Sequence, residues 1–277
     1  MTIAHLSDLH FGRIAHDAIV EVLMHEVNAA NVDLVAISGD LTQRARPEEF
    51  APAAALIDRF EAPVLVVPGN HDVYPWWHPI ARLRRPLARY RRYITPDLTP
   101  RFEQNGVAVL GINTAHPHTV KGGRIDATDL DAIRSYFAAT APDAFNVLVI
   151  HHHLTKIRAL GRHDIARRAR EALDTATEAG VDLILCGHLH ISHIEPVEII
   201  PGEQRLVIAS AGTATSSRGR KSNRSTNFYN LIEVEAEAFQ VEERRYRPQE
   251  RQFVVESTTT FDRSLSSRVL HERAQEP

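Results

Sequence analysis

Cysteine is almost absent: Cys186 is the only one, so no internal disulfide can form, and such usage fits a reducing compartment. No stretch approaches the ~20 consecutive apolar residues of a membrane span, and Met1 to His5 carry no basic flank followed by an apolar run. Secretion and membrane insertion are therefore disfavoured, and a cytoplasmic location is expected. A positive excess is also missing. The net charge of −3 supplies no global field for a nucleic acid, which leaves nucleic acid a secondary prospect as partner. The basic residues that do cluster are Arg82, Arg84, Arg85, Arg89, Arg91 and Arg92, and then Arg218, Arg220, Lys221 and Arg224. They read first as a solvated helix face and a basic loop, and second as a phosphate-facing cap. No internal repeat and no domain boundary are visible.

What is present is globular. Hydrophobic residues make up 43% of the chain against 24% charged, the balance of a packed core. At 277 residues, one large domain can bury roughly three quarters of its unfolded surface. Short apolar runs at Ile3–Leu6, Val32–Ile37, Pro63–Val67, Val107–Ile112, Asn146–Ile150 and Asp182–Cys186 read as strands. Helical spacing occurs at Asp17–Ala30, Pro47–Phe60, Ala127–Ala139 and Ile165–Ala179. Continuous Val, Ile and Leu content predicts strands buried on both faces. From Ile194 the pattern becomes strands without helices, at Ile194–Ile200, Arg205–Ala209, Phe228–Val234 and Phe239–Arg245. That run predicts a second sheet packed on the first, in a layered α/β sandwich. Residues 76–99, rich in Arg and aromatics, read as a helical cap insertion, and Gly212–Asn227 as a loop at the same edge. The main domain is expected over 1–247, with residues 248–277 as a tail.

Five clusters stand just past predicted strands: Asp8-Leu9-His10, Gly39-Asp40, Gly69-Asn70-His71-Asp72, His151-His152-His153 and Gly187-His188-Leu189-His190. Ligands bind at the carboxyl edge of an open parallel sheet, so dispersed residues would converge there. The clusters offer carboxylate, amide and imidazole donors and no thiolate. That set suits manganese, iron, zinc or cobalt better than calcium or magnesium.

Taken in order, these blocks resemble the calcineurin-like metallophosphoesterase superfamily, over Asp8 to His190. The resemblance implies a four-layer α-β-β-α sandwich with two mixed sheets and a metal site at the carboxyl ends of the strands. It implies two divalent metal ions, one held by Asp8, His10, Asp40 and His190 and the other by Asp40, Asn70, His151 and His188. Asp40 would be shared because two cations roughly 3.5–4 Å apart need an anion between them. Related enzymes often read His-His-Pro-Pro where this chain reads His151-His152-His153-Leu154, so His152 remains the alternative ligand to His151. His71 is expected to face the scissile phosphate as an imidazolium donor or general acid. Asp72 is expected either to orient it or to cap a following helix. The nucleophile would be water acidified by the metals.

The size and the Lys121-Gly122-Gly123-Arg124 segment look most like bacterial class III cyclic-nucleotide phosphodiesterases. A small phosphodiester, such as a cyclic nucleotide, is thus the expected substrate. Three other readings stand beside it. One is a pyrophosphate hydrolase of a nucleotide-linked lipid precursor of the UDP-diacylglucosamine type, with Trp76, Trp77 and the Arg-rich insertion as an acyl-binding cap in peripheral membrane contact. Another is a nuclease of the DNA-repair type, and the last is a scaffold with a degenerate metal site. His116, Arg124 and His152 are candidate substrate contacts. Cys186, His5 and His25 read as structural, His193 as surface, and Trp76 and Trp77 first as core anchors of the insertion.

Overall fold

A computed structural model describes residues 1–119, 121–157, 163–200, 204–219 and 226–263. Strand β1 (Thr2–Leu6), helix α1 (Ile19–Ala29), β2 (Leu34–Ile37), α2 (Pro47–Ile57) and β3 (Val64–Val66) come first. The three strands pair in parallel, as strand–helix–strand crossovers require. The expected insertion at 76–99 holds two short helices, α3 (Pro79–Arg84) and α4 (Ala88–Tyr93). There follow β4 (Arg101–Gln104), β5 (Val107–Gly111), α5 (Ala127–Phe137), β6 (Phe145–Val149), α6 (Ala169–Glu178) and β7 (Leu183–Cys186). The chain continues through β8 (His193–Ile200), β9 (Gln204–Ser210), β10 (Phe228–Val234), β11 (Ala238–Arg247) and β12 (Gln252–Asp262).

One six-stranded sheet runs β12-β11-β10-β1-β2-β3 and the other β4-β5-β6-β7-β9-β8. Both are mixed: β10, β11 and β12 join antiparallel, as do the edge strands β4 and β8. The late strands therefore do not build a separate second sheet. β8 and β9 extend the sheet of β5, β6 and β7, whereas β10 to β12 return to pair with β1. Partner choice between strands that both offer apolar faces is a long-range matter, which strand periodicity does not carry.

Alternation along each strand sorts residues into three apolar layers. On β2, Leu34 and Ala36 face the core between the sheets, while Val35 and Ile37 face the layer shared with α1 and α2. On β6, Val147 and Val149 turn inward, while Leu148, with Ile150 just past the strand, packs with Ile133 of α5 and Ala172 of α6. Both faces of both sheets are covered, which gives the α-β-β-α layering. Each layer is a helix–sheet or sheet–sheet contact, and the continuous apolar runs follow from it.

Two strands depart from the sequence reading. β4 forms a hairpin with β5 across Asn105-Gly106, whose φ angles of 52° and 74° match a tight turn with two left-handed residues. The expected tail at 248–277 instead begins with β12, while residues 264–277 lie outside the described residues. As an edge strand β12 has a thin apolar signature, with Phe253 buried and Val255 exposed, so its pattern fades although its β-branched Thr258, Thr259 and Thr260 remain.

Candidate metal centre

The loops after β1 and β2 in one sheet and after β6 and β7 in the other meet at one end of the sandwich. The backbone N–H of His188 donates to Asp8 Oδ2 at 2.9 Å, and that of Asp8 to the Gly39 carbonyl at 3.0 Å. Convergence is thus at the carboxyl ends of strands from two facing sheets, as the expected two-sheet sandwich requires. Asp8, His10, Asp40, His188 and His190 all have positive φ, between 47° and 68°. Left-handed backbone is uncommon outside glycine, and it persists where surrounding structure over-determines it. Close approach demands glycine beside them. A Cβ on Gly69 would stand 2.1 Å from Asp40 Oδ1, and one on Gly187 would stand 1.7 Å from Ser7 Oγ.

Two buried donor groups result. Asp8, His10, Asp40 and His190 form one, and His151, His152 and His188 the other, with the donor atoms of each within 4.8 Å of one another. His10 Nε2 lies 3.5 Å from Asp8 Oδ1 and 3.6 Å from Asp40 Oδ2, and His190 Nε2 lies 3.6 Å from Asp8 Oδ1. Asn70 Oδ1 lies 3.2 Å from His151 Nε2 and 3.0 Å from His188 Nδ1. Asp40 Oδ1 lies 3.4 Å from His151 Nε2. Donors sharing one cation at about 2.1 Å stand about 3.0–3.4 Å apart in octahedral or tetrahedral array, so these spacings match atoms arranged around an ion.

Hydrogen bonding elsewhere agrees. His10 Nδ1 donates to the Thr42 carbonyl at 3.1 Å and His151 Nδ1 to the Ser38 carbonyl at 2.7 Å. A carbonyl only accepts, so each Nδ1 carries a hydrogen, and each Nε2 is the nitrogen turned to the centre. Asp8 Oδ1, His10 Nε2 and Asp40 Oδ2 are buried without a hydrogen-bond partner, a costly state unless a cation meets them. The residues therefore fit a metal site.

Charge follows the same logic. Burial pushes the Asp8 and Asp40 carboxyls up, yet neighbouring imidazoles, His190 and His10 for Asp8 and above all His151 for Asp40, hold both well below the usual carboxylate range. Burial pushes His151 down, but Asp40 outweighs it and raises the imidazole to about 9. Burial lowers His188 and His152, and takes His190 to about 3. The centre thus presents two carboxylates, a protonated His151 whose Nε2 proton a cation would replace, and neutral imidazoles at His152, His188 and His190.

His71 reaches the same space, with its Nδ1 donating to the Gln43 carbonyl at 2.8 Å. Burial lowers its pKa to about 4 despite Asp40, so the resting ring is neutral and not the expected imidazolium. Its Nε2 then accepts, and Arg218 Nη1 donates to it at 2.8 Å. Asp72 takes neither expected role. It accepts from the backbone N–H of Leu41, Thr42 and Gly69 and from the Thr42 hydroxyl, tying the Asp40 loop to the Asn70 loop. The Gln43 carbonyl does the orienting of His71 instead, and no helix follows Asp72 closely enough to be capped.

Above the donors opens a cleft of about 470 Å³, lined by Asp40, Asn70, His71, His188 and His190 together with Arg13, Gln43, Arg44, Trp76, Trp77 and Arg218. Sequence reasoning passed over Arg13, Gln43 and Arg44, although each follows a donor cluster by three or four residues. Trp76 and Trp77 are exposed at the rim and are not core anchors. Arg44 stacks over the Trp77 ring at 5.2 Å. His116 and Arg124 do not line the cleft. Both turn to Asp126 at the start of α5, His116 at 4.0 Å and Arg124 at 2.5 Å. His152 is buried beneath the centre, with Nδ1 2.8 Å from Thr114 Oγ1, which removes it from the substrate face and leaves its Nε2 in the second donor group. Cys186 is buried and burial raises its thiol, while His5 bonds Ser38, as structural residues should. Of the second basic cluster, Arg220, Lys221 and Arg224 lie outside the described residues.

The family model for calcineurin-like phosphoesterase matches residues 1–192. Glycerophosphodiester phosphodiesterase GpdQ of Enterobacter lignolyticus is 34% identical over 85 residues, covering 26% of this chain and 30% of that protein. The 3′,5′-cyclic adenosine monophosphate phosphodiesterase CpdA of Haemophilus influenzae is 25% identical over 160 residues, covering 57% of this chain and 54% of its own length. Matches to these two relatives thus span about a third to a half of each. Among solved structures, the purple acid phosphatase PPD1 of yellow lupin superposes with a TM-score of 0.73 at 11% identity, covering 97% of this chain and 55% of that one, a likeness of fold.

Proposed function

Because the chain belongs to the calcineurin-like phosphoesterase family, a family of metal-dependent phosphoesterases, we propose that it is a phosphodiesterase with a dinuclear metal centre. Asp8, His10, Asp40 and His190 would hold one divalent cation, and Asp40, Asn70, His151 and His188 the other. Asp40 carries the reading: its Oδ2 faces the first donor group through His10 and its Oδ1 faces the second through His151. When bound, the two cations would acidify water to serve as nucleophile and draw charge from the phosphoryl oxygens.

The protein's own residues do the rest. Asp40 sets an anion between the two positions, and the neutral amide of Asn70 adds a donor without adding charge. Arg218 presents a planar guanidinium at the cleft face, suited to two nonbridging phosphoryl oxygens. His71, its ring fixed by the Gln43 carbonyl, accepts from that guanidinium at 2.8 Å, so the two side chains stand side by side at the cleft, where they would meet the phosphoryl group and its leaving oxygen. Trp77, with Arg44 across its face, offers a flat wall for a nucleobase. That wall and the likeness to the Haemophilus cyclic adenosine monophosphate phosphodiesterase support a cyclic nucleotide as the substrate class.

The test is hydrolysis by the manganese-loaded chain, first of bis(p-nitrophenyl) phosphate and then of 3′,5′- and 2′,3′-cyclic nucleotides. Asp40→Asn should lower both the metal content per chain and the turnover, the latter at least about 100-fold. Turnover of the synthetic diester without any cyclic nucleotide would overturn the substrate class alone. Inactivity of the fully loaded chain toward every diester would overturn the phosphodiesterase reading.

A further inference from the structure

Four of the large apolar side chains exposed among the described residues fall within eight consecutive positions: Trp76 at 70%, Trp77 at 39%, Ile80 at 72% and Leu83 at 57%. Single exposed apolar residues are ordinary, but a contiguous patch marks a surface that something covers. Ile80 and Leu83, three residues apart on α3, share one face. The segment is held in this attitude from beneath. Arg82 is buried and donates to the carbonyls of Tyr74, Pro117 and Thr119, while Leu87 and Tyr90 pack into the core. The apolar face is thus fixed outward and cannot fold back onto the domain.

The charge carried by the segment itself has one sign. Between Val73 and Pro96 there is no Asp or Glu, and Arg84, Arg85, Arg91 and Arg92 are exposed. Arg84 and Arg85 share a surface groove with Trp77, Pro79 and Ile80, which sets guanidinium and apolar groups side by side. We propose that this cap docks on an anionic lipid bilayer, with Trp76, Ile80 and Leu83 entering the interfacial layer and Arg84 and Arg85 meeting lipid phosphates. A second copy of the chain fits less well, because a two-fold contact through this face would set one arginine cluster against its equivalent. A nucleic acid would match the arginines and indoles but leave Ile80 and Leu83 without a counterpart. Contact is peripheral, since no helix among the described residues is long and apolar enough to cross a membrane.

The inference does not depend on which diester is cleaved, and its test is separate. Full-length protein is sedimented with vesicles of phosphatidylglycerol and phosphatidylcholine, and with phosphatidylcholine alone. Partition to the anionic vesicles, weakened by salt and accompanied by a blue shift of tryptophan emission, is expected. Ile80→Ser with Leu83→Ser should abolish it, and Arg84→Glu with Arg85→Glu should lower it at least about tenfold. Both variants should cleave a soluble diester at the wild-type rate, which reports their folding. Absence of partition, or equal partition in the variants, overturns the proposal. So does a vesicle-indifferent protein that forms a dimer broken by the serine variant, or that binds single-stranded DNA through this face.

Discussion

Replacing Asp72 with asparagine probes how the two central donor loops are held together. Oδ2 of Asp72 accepts from the Leu41 N–H at 3.2 Å and the Gly69 N–H at 2.9 Å, and Oδ1 from the Thr42 N–H at 2.9 Å and the Thr42 hydroxyl at 3.0 Å. Asparagine keeps one accepting oxygen. An amide nitrogen in the Oδ2 place would confront two buried N–H donors, whereas in the Oδ1 place it confronts one, beside a hydroxyl that can rotate. The second orientation wins, and one buried donor left without an acceptor costs about 1–3 kcal/mol. The surviving bonds also weaken, because charge-assisted hydrogen bonds are roughly twice as strong as neutral ones. Against this, burial and then the nearby Asp40 raise the Asp72 carboxyl to about 6, so removing its charge returns part of the loss. A net destabilisation of about 1–3 kcal/mol is expected at about pH 8, where the carboxylate is ionised. Urea unfolding of the metal-free protein measures it, alongside a fall in metal content as the Asp40 loop loosens. An unchanged unfolding midpoint, combined with a rate loss equal to that of His71→Ala, would refute the strut role and return Asp72 to orienting His71.

Arg218→Ala should lower kcat/KM for a diester by about 10–100-fold, the worth of a charge-assisted hydrogen bond, with partial recovery in Arg218→Lys; unchanged steady-state kinetics would remove Arg218 from the phosphoryl site. Burial pushes His5 down from 6.5 to about 3, so between those values the unfolded chain holds a proton that the folded chain refuses. Its contribution is complete above 6.5 and is lost as pH falls, at about 1.4 kcal/mol per pH unit. Unfolding free energies at mildly acid pH should therefore slope less steeply in His5→Asn by one proton, and identical slopes would contradict the buried neutral imidazole. Gly187→Ala should cost metal at the first donor group, because the new Cβ would stand 1.7 Å from Ser7 Oγ and 2.6 Å from Asp8 Oδ2; elemental analysis showing normal loading in this variant would mean that the loop yields.

The amino-acid sequence by itself determined what is local. Short continuous apolar runs set out β1, β2, β5, β6 and β7, and helical periodicity the long helices, since each buries its apolar surface whatever its partner. The donor clusters were legible for a related reason: each is a short loop whose Asp, Asn or His sit a few residues after a strand, three of the five opening on a glycine. The hairpin of β4 carried its signal in Asn105-Gly106, which the strand pattern obscured. Only the tertiary structure decided which strands pair, sending β10 to β12 back to β1. It alone made Asp72 a strut, brought Arg218 to His71 across 147 residues, and turned Trp76 and Trp77 outward. Those outcomes depend on contacts between segments remote in the chain, where a side chain's partner is chosen by geometry that no run of neighbouring residues encodes.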